Sequence, residues 1–340
     1  MTPLCRSITF KQACGWILLR PNDASGLTRE SYVTTFQEYL DSLGKQEQAP
    51  KGAALLRLSG LSPQEAAEFA GTWATLPPTL PRSIAAKLVE LSEDSLELDF
   101  SSLFRSCLED KDPQVREQAV RGLWECEERA LIRPLVRLLV EDPSANVRTA
   151  AAMALGRFAA LAQEGKLIAK DSERVRDGLL AAINRTGEDE DVRRRAIEAV
   201  AHFDREDVKE IIRQAHKSGD SKLRQSAIYA MGKNADMEWL PVILAAMESR
   251  YTAVRYEAAT AAGHLGEEST APYLVKLIED EDSQVQVAAI IALGSVGGPL
   301  AKRVLLQCLQ SDDEVVQQAA QMAMGSIEFD ENPLGFRLDR

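Results

Sequence analysis

The sequence has no long hydrophobic run. Its 340 residues are 45% hydrophobic, yet no apolar stretch reaches the length of about 18 residues needed to cross a bilayer. A short apolar run near the N-terminus, Trp16–Leu19, falls below the roughly 7–15 apolar residues of a secretory signal. We therefore expect no membrane partner and no secretion signal, and we interpret residues 1–34 as a disordered extension or the product of an upstream start codon.

Residues that carry catalytic or metal chemistry are also scarce. The chain has three histidines and five cysteines, and it contains no Cys-x-x-Cys pair and no coherent ligand spacing around its histidines. A glycine-rich phosphate loop and a nucleophile elbow are absent from the sequence as well. The sequence thus predicts no cofactor, no metal and no catalytic residue, and its cysteine usage predicts reduced thiols in the cytoplasm.

The charge balance argues against nucleic acid as a partner. The chain has 52 acidic and 40 basic side chains, which gives a formal net charge of −12. A surface of this sign repels phosphate backbones and anionic lipid headgroups.

A repeated segment dominates the rest of the chain. An aliphatic anchor, usually followed by arginine, recurs with intervals of 32, 45, 31, 31, 31 and 31 residues, and the anchors are Val115, Val147, Val192, Leu223, Val254, Val285 and Val316. Four equal intervals of this size indicate a solenoid built from one supersecondary unit.

The pattern within a unit predicts helices. Alanine always stands four residues after the anchor (position +4), and small or apolar residues stand at positions +7 and +8, so that one helix face carries them all. Glycine occupies position +9 in five units, and we expect it to end the helix there. A second apolar stretch precedes each anchor, which predicts a helix pair per unit, joined by an acidic turn that suits the N-terminus of the second helix.

The residues of this unit resemble a known repeat. The segment 112–116 (Asp-Pro-Gln-Val-Arg), followed by Ala119 and Leu123, is similar to the short HEAT-like repeats of bacterial proteins, a type that also occurs in phycobilin lyases. The resemblance covers about residues 99–327 and implies an all-α fold: a right-handed α-solenoid of about seven helix pairs. We interpret residues 35–98 as an N-terminal helical cap with a degenerate repeat, and residues 328–340 as a C-terminal tail.

Two segments interrupt this regularity. The 45-residue interval contains 14 extra residues, which we expect within 161–172 as an edge loop that either contributes to a binding surface or is simply tolerated. The tail either caps the last unit and covers the neighbouring groove, with Phe329 and Phe336, or acts as a peptide motif.

The arginines after the anchors form a row: Arg116, Arg148, Arg193, Arg224 and Arg255. They could grip phosphates or acidic peptides, but acidic turns accompany them along the solenoid. We interpret the row as a ladder of ion pairs between neighbouring repeats.

The functional prediction rests on positions +2 and +6, which point away from the core face of the second helix. They are mostly polar in the early units and become uncharged and partly apolar in the last four. Second helices of HEAT-like solenoids line the concave side, so we predict a groove there that binds a protein or peptide partner. The expected contacts are Arg224, Tyr229, Arg255, Tyr256, Val287, Ile291 and Met322.

The function implied by these patterns is a non-catalytic scaffold or adaptor. The resemblance also leaves open an enzyme related to phycobilin lyases, acting on a tetrapyrrole. Deoxyhypusine hydroxylases are HEAT-like enzymes with repeated His-Glu pairs at their iron, and the sequence contains no His-Glu dipeptide, which disfavours that activity. The sequence carries no signal for oligomeric state.

Overall fold

The computed structural model describes residues 35–44, 50, 52–95 and 97–331. These residues form helices and connecting turns without a strand. The predicted extension 1–34 and most of the predicted tail lie outside the described residues. No helix in the described part is both long and apolar enough to cross a membrane.

Four helices come first, and seven helix pairs follow. The first four are α1 (Phe36–Gly44), α2 (Gly52–Leu55), α3 (Pro63–Trp73) and α4 (Thr79–Asp94). The pairs are α5 (Ser101–Cys107) with α6 (Pro113–Gly122), α7 (Ile132–Glu141) with α8 (Ala145–Gln163), α9 (Ala169–Asn184) with α10 (Glu190–Val200), α11 (Glu206–Lys217) with α12 (Ser221–Asn234), α13 (Leu240–Met247) with α14 (Thr252–Leu265), α15 (Ala271–Leu277) with α16 (Ser283–Val296), and α17 (Gly298–Cys308) with α18 (Glu314–Glu331). This arrangement confirms the predicted all-α solenoid.

Local capping signals explain where the helices begin. Ser62 caps α3: its Oγ accepts a hydrogen bond from the Glu65 backbone N–H at 3.3 Å, and the Glu65 carboxylate accepts one from the Ser62 N–H at 2.9 Å. Several second helices begin at an aspartate of the acidic turn; the side chains of Asp112, Asp189, Asp220 and Asp282 all accept hydrogen bonds from backbone N–H groups in the first turn.

The helices are arranged in two layers. The second helices pack successively on one another from α4 through α18, and the first helices form the other layer, in which α3 packs on α5 and α7 on α9. With the exception of α7 and α9, neighbouring first helices are in less extensive contact than neighbouring second helices. The layer of second helices is therefore the more closely packed of the two, and we call it the inner layer.

Small residues allow this close packing. The alanines at position +4 are fully buried in every unit: Ala119, Ala151, Ala196, Ala227, Ala258, Ala289 and Ala320. The first unit has Gly122 instead of alanine at +7, where a Cβ would lie 2.2 Å from the ring of Phe104, so the glycine makes room for that ring.

The prediction that the +9 glycines end their helices is wrong. Gly232 and Gly294 lie inside α12 and α16, and a Cβ on either would lie 2.7 Å from the Cα of the +7 alanine in the next unit, Ala261 or Ala323. These glycines bring neighbouring helix backbones together. The left-handed residue that ends the helix comes three positions later, as at Gly266 after Gly263 in α14.

The 14 extra residues mostly lengthen helices, whereas we expected a loop. Helix α8 has 19 residues and α9 has 16, and a short connection at residues 164–168 joins them. Phe158 and Leu161 are buried, so the apolar face of α8 continues past the usual end of a second helix. The last helix likewise continues beyond the predicted boundary at 327, to Glu331, because Ile327 extends its buried face.

Candidate functional site

The exposed side of the second helices forms the candidate surface, which we call the inner face. It consists of positions +2, +6 and +10 of α10 to α18, because positions 0, +4, +7 and +8 turn toward the core. In α14 these positions are Tyr256, Thr260 and His264.

Five of the seven predicted contact residues lie on the inner face. They occupy four consecutive second helices, with Tyr229 on α12, Tyr256 on α14, Val287 and Ile291 on α16, and Met322 on α18. Ile291 is 40% exposed, and the other four are half-buried. The side chains of Tyr256 and Val287 also pack against the core, so the scaffold holds them in place.

The other two predicted contacts, Arg224 and Arg255, lie elsewhere. They belong to the row at position +1, which runs along the edge formed by the turns within the units. Each extends a guanidinium Nη1 back to the carbonyl oxygen six residues earlier, at 3.2 Å for Arg224 to Ser218 and 2.9 Å for Arg255 to Ser249. The structure therefore does not bring them together with the tyrosines of the inner face.

Three of the five arginines in the row, Arg116, Arg148 and Arg255, form the ion pairs between repeats that we expected of the whole row. The Arg255 Nε donates to Asp280 at 2.6 Å, and its Nη2 donates to the other carboxylate oxygen at 2.8 Å. Arg116 binds Asp142 in the same bidentate way, with distances of 2.7 and 2.8 Å. Arg148 pairs with Glu188, whose side chain is fully buried, but its Nε and Nη2 both donate to the same oxygen, Oε1, at 3.1 and 2.7 Å. We call this set of five arginines and their acceptors the arginine ladder.

A polar network occupies the inner face where α10, α12 and α14 meet. Ser226 Oγ accepts from Arg194 Nε at 3.0 Å and donates to Glu198 at 2.6 Å. One unit further, the Gln225 amide donates to the Glu257 carboxylate at 3.1 Å. Burial raises the pKa of Glu257 to about 7 from its ordinary 4.5, and the nearby Glu198 charge adds to this effect.

A row at position +10 was missed by the sequence reasoning. His202, Lys233 and His264 follow their anchors by ten residues in three successive units, and the 31-residue period could have revealed them. Burial lowers the pKa of all three side chains, and the positive charge of Lys233 lowers the pKa of both imidazoles further. Both histidines are therefore neutral at pH 7. The Lys233 ammonium lies 5.3 Å from the centre of the Tyr229 ring.

These groups suit recognition better than covalent or metal chemistry. No group of three or more histidine, cysteine or acidic side chains is placed to hold a metal among the residues that the structure describes. Burial raises the pKa of the Cys107 thiol to about 12, so this cysteine is not a nucleophile at neutral pH. The inner face offers apolar contact area toward α18 and hydrogen-bonding groups toward α10.

One known family matches the repeats of this chain. A sequence profile for HEAT repeats matches residues 101–185, 176–249 and 240–325. No curated protein sequence matches the chain. Similar solved structures include E. coli YibA (18% identity, 72% of this chain and 95% of that one, TM-score 0.39), human deoxyhypusine hydroxylase (15%, 86% and 97%, 0.33) and yeast importin-beta (16%, 86% and 41%, 0.42). With three consecutive matches that together span most of the helix pairs, the chain belongs to the HEAT repeat family.

Proposed function

We propose that this protein is a non-catalytic interaction scaffold whose inner face, from α12 to α18, binds a protein or peptide segment. One observation carries the proposal: from α12 to α18 the inner face has Lys233 as its one charged side chain and becomes partly apolar, although the chain as a whole has a net charge of −12. Partner sites on soluble proteins combine apolar anchors with few charges at their centre.

The proposed contacts are Tyr229, Tyr256, Val287, Ile291 and Met322. Ile291 is the most accessible aliphatic group among them, at 40% exposure, and the tyrosines offer large contact areas with little conformational freedom to lose. Arg255 is not among these contacts, because it forms an ion pair with Asp280 as part of the arginine ladder. Arg224 lies on the turn edge, where its Nη1 donates to the Ser218 carbonyl oxygen, so it would contact a partner that wraps around that edge.

The gradient along the inner face indicates the chemistry of the partner. Toward α16 and α18 the side chains Val287, Ile291 and Met322 favour aliphatic or aromatic groups. Toward α12 and α10 the partner would meet Lys233 and the amide and carboxyl groups of Gln225 and Glu257. A partner segment with one apolar end and one polar end would contact both regions, provided that its two ends lie about two repeat units apart.

The test is a charge placed at the centre of the apolar region. Ile291→Asp should lower the affinity for the partner by at least tenfold, because an aspartate would be desolvated against apolar groups. The matched control is Leu306→Asp, since Leu306 is 54% exposed on α17, in the other layer. Proteins captured from a lysate of the source organism and quantified by mass spectrometry should be retained by the wild type and by Leu306→Asp, and lost by Ile291→Asp.

Direct contact is tested by a photo-reactive residue. Benzoylphenylalanine at position 291 should cross-link to the captured protein, and the same residue at position 306 should not. Equal cross-linking from both positions, or equal capture by both aspartate variants, would remove the inner face as the binding site.

The same material decides whether the inner face holds a tetrapyrrole. A scaffold leaves the absorbance spectrum of a free bilin unchanged after incubation, whereas a lyase-like protein shifts it.

We also propose a cytoplasmic location, which the free thiols of Cys107, Cys126 and Cys308 support.

A further inference from the structure

The arginine ladder is interrupted at two successive steps. In the repeat register, the arginine of one unit meets a side chain in the turn of the next unit. Asp142 and Asp280 occupy that turn position opposite Arg116 and Arg255, and both belong to bidentate ion pairs. The residues at the same position opposite Arg193 and Arg224 are Ser218 and Ser249. We call these two steps the ladder gap.

The aspartates at this turn position accept a hydrogen bond within the turn and also bind an arginine, whereas the serines only accept the turn hydrogen bond. Asp280 accepts from the backbone N–H two residues later at 3.0 Å and also binds its arginine. Ser218 and Ser249 make the same turn hydrogen bond, with Oγ accepting from Asp220 N–H at 3.1 Å and from Tyr251 N–H at 3.2 Å. Each serine has one neutral hydroxyl oxygen, which accepts this turn hydrogen bond. Unlike aspartate, it provides no negative charge for the arginine of the preceding unit.

The two arginines of the ladder gap therefore lack an anionic partner. The Nε of Arg193 is buried and has no hydrogen-bond partner among the described residues. Arg224 donates to the Ser218 carbonyl, and no carboxylate of the described part lies within ion-pair distance of it. Burial lowers the pKa of His216, and the positive charges of Arg224 and Lys217 lower it further.

Two acidic groups near the ladder gap already have partners. Asp220 caps α12 by accepting from Leu223 N–H at 2.7 Å. Glu188 belongs to Arg148, at the preceding step of the ladder. Neither carboxylate can relieve the arginines without giving up its own partner.

We propose that the ladder gap is a binding site for a small oxyanion of the phosphate class, which takes the place of the missing carboxylates beside Arg193 and Arg224. A phosphate carries about −1.5 to −2 charges at pH 7 and accepts the paired N–H groups of arginine in the geometry that a carboxylate does. The site lies on the turn edge and goes beyond the proposed function of the inner face.

Thermal unfolding of the full chain tests this site. The melting temperature is measured at pH 7 and constant ionic strength in potassium chloride, potassium acetate and potassium phosphate. The wild type should gain several degrees as phosphate saturates the site, because a ligand that binds only the folded state stabilises it. An equal gain in acetate would assign the site to carboxylates instead.

Three variants separate this site from general salt effects. Ser218→Asp combined with Ser249→Asp restores the ladder, so its melting temperature should rise in chloride and its response to phosphate should disappear. Ser311→Asp is the matched control: Ser311 occupies the same turn position but follows Gln286 rather than an arginine, so the response should remain. Arg224→Gln copies the natural Gln286, whose amide keeps the turn hydrogen bond at 2.6 Å, and it should lose the response without losing stability in chloride.

A phosphate response that is equal in the wild type, the restored ladder and Arg224→Gln would overturn the proposal, as would a wild type that does not respond. Binding of inorganic phosphate by calorimetry should follow the same pattern among the variants. Ile291→Asp should leave the phosphate response unchanged, which separates this outcome from the fate of the inner-face proposal.

Discussion

Neighbouring second helices are joined differently in the two halves of the inner layer. Between α8 and α10, a Cβ on Gly156 would lie 3.5 Å from Ala199, which is ordinary contact. Between α16 and α18, a Cβ on Gly294 would lie 2.7 Å from the Cα of Ala323. The glycine therefore has a necessary role in the C-terminal half, whereas the N-terminal half leaves room for a methyl group.

The N-terminal half is instead tied by buried charges. Arg116 and Asp142 join the first two units, and Arg148 and Glu188 join the second and third. The C-terminal half has one such tie, between Arg255 and Asp280, after the ladder gap. One repeat sequence thus supports two ways of holding units together, ion pairs that need exact partners and close backbone contact that needs only small residues.

The largest effect is expected from breaking an N-terminal tie. Glu188→Gln leaves the Arg148 guanidinium buried without a counter-charge, and the free energy of unfolding should fall by about 3–5 kcal/mol. Chemical denaturation measures the loss. Arg137, which contacts Glu109 at the surface, offers the control: Glu109→Gln should change stability by less than about 1 kcal/mol. If both variants lose a similar free energy of unfolding, the buried ion pair contributes no more to stability than the surface pair.

A methyl group in a C-terminal seam, by which we mean the contact between two neighbouring second helices, should have the next largest effect on stability. Gly294→Ala forces α16 and α18 apart, and overpacking of this kind costs about 1–3 kcal/mol of stability. Gly325→Ala is the control, because nothing lies within 4 Å of a Cβ there and alanine favours a helix. If Gly294→Ala melts at or above the wild-type temperature, the close seam does not constrain the stack.

The C-terminal half also carries a pH-dependent group. Because burial raises the pKa of Glu257 to about 7, its contribution to stability is complete below pH 4.5 and is lost as the pH rises through 7. Glu257→Gln keeps the shape and removes the charge. With allowance for its partial exposure, the variant should exceed the wild type by about 1–2 kcal/mol at pH 8 and match it at pH 4.5. A constant difference across this range would contradict the assignment.

The smallest effect sharpens the contrast between the halves. Gly156→Ala fits its space and improves helix propensity, so the free energy of unfolding should rise by up to about 0.5–1 kcal/mol. In the same denaturant titration, Gly156→Ala and Gly294→Ala should change the free energy of unfolding in opposite directions, although both replace the glycine at position +9. Equal signs would mean that the two seams are alike.

The sequence was sufficient for the fold because the period and the alanines leave one packing solution. It was misleading at the +9 glycines, since a glycine that ends a helix and a glycine that admits a neighbouring backbone look the same along one chain. The distinguishing signal lies in the next unit, where Ala261, Ala292 and Ala323 stand opposite the three glycines.

The candidate site was predictable only in part. The apolar residues of the inner face followed from helical geometry, and five of the seven contacts lie on it. The role of Arg255 depended on the residue opposite, Asp280, which stands 25 positions away. The row of His202, Lys233 and His264 escaped notice because no two members are neighbours in sequence, although they share one register.

The seams of the C-terminal half are interchangeable. Gly232, Gly263 and Gly294 each meet an alanine at the same register of the following unit, so the excision of one whole 31-residue unit would place a glycine against an equivalent alanine again. The chain can therefore shorten or lengthen by entire modules in evolution without designing a new joint, and the reach of its inner face can change in steps of one helix pair.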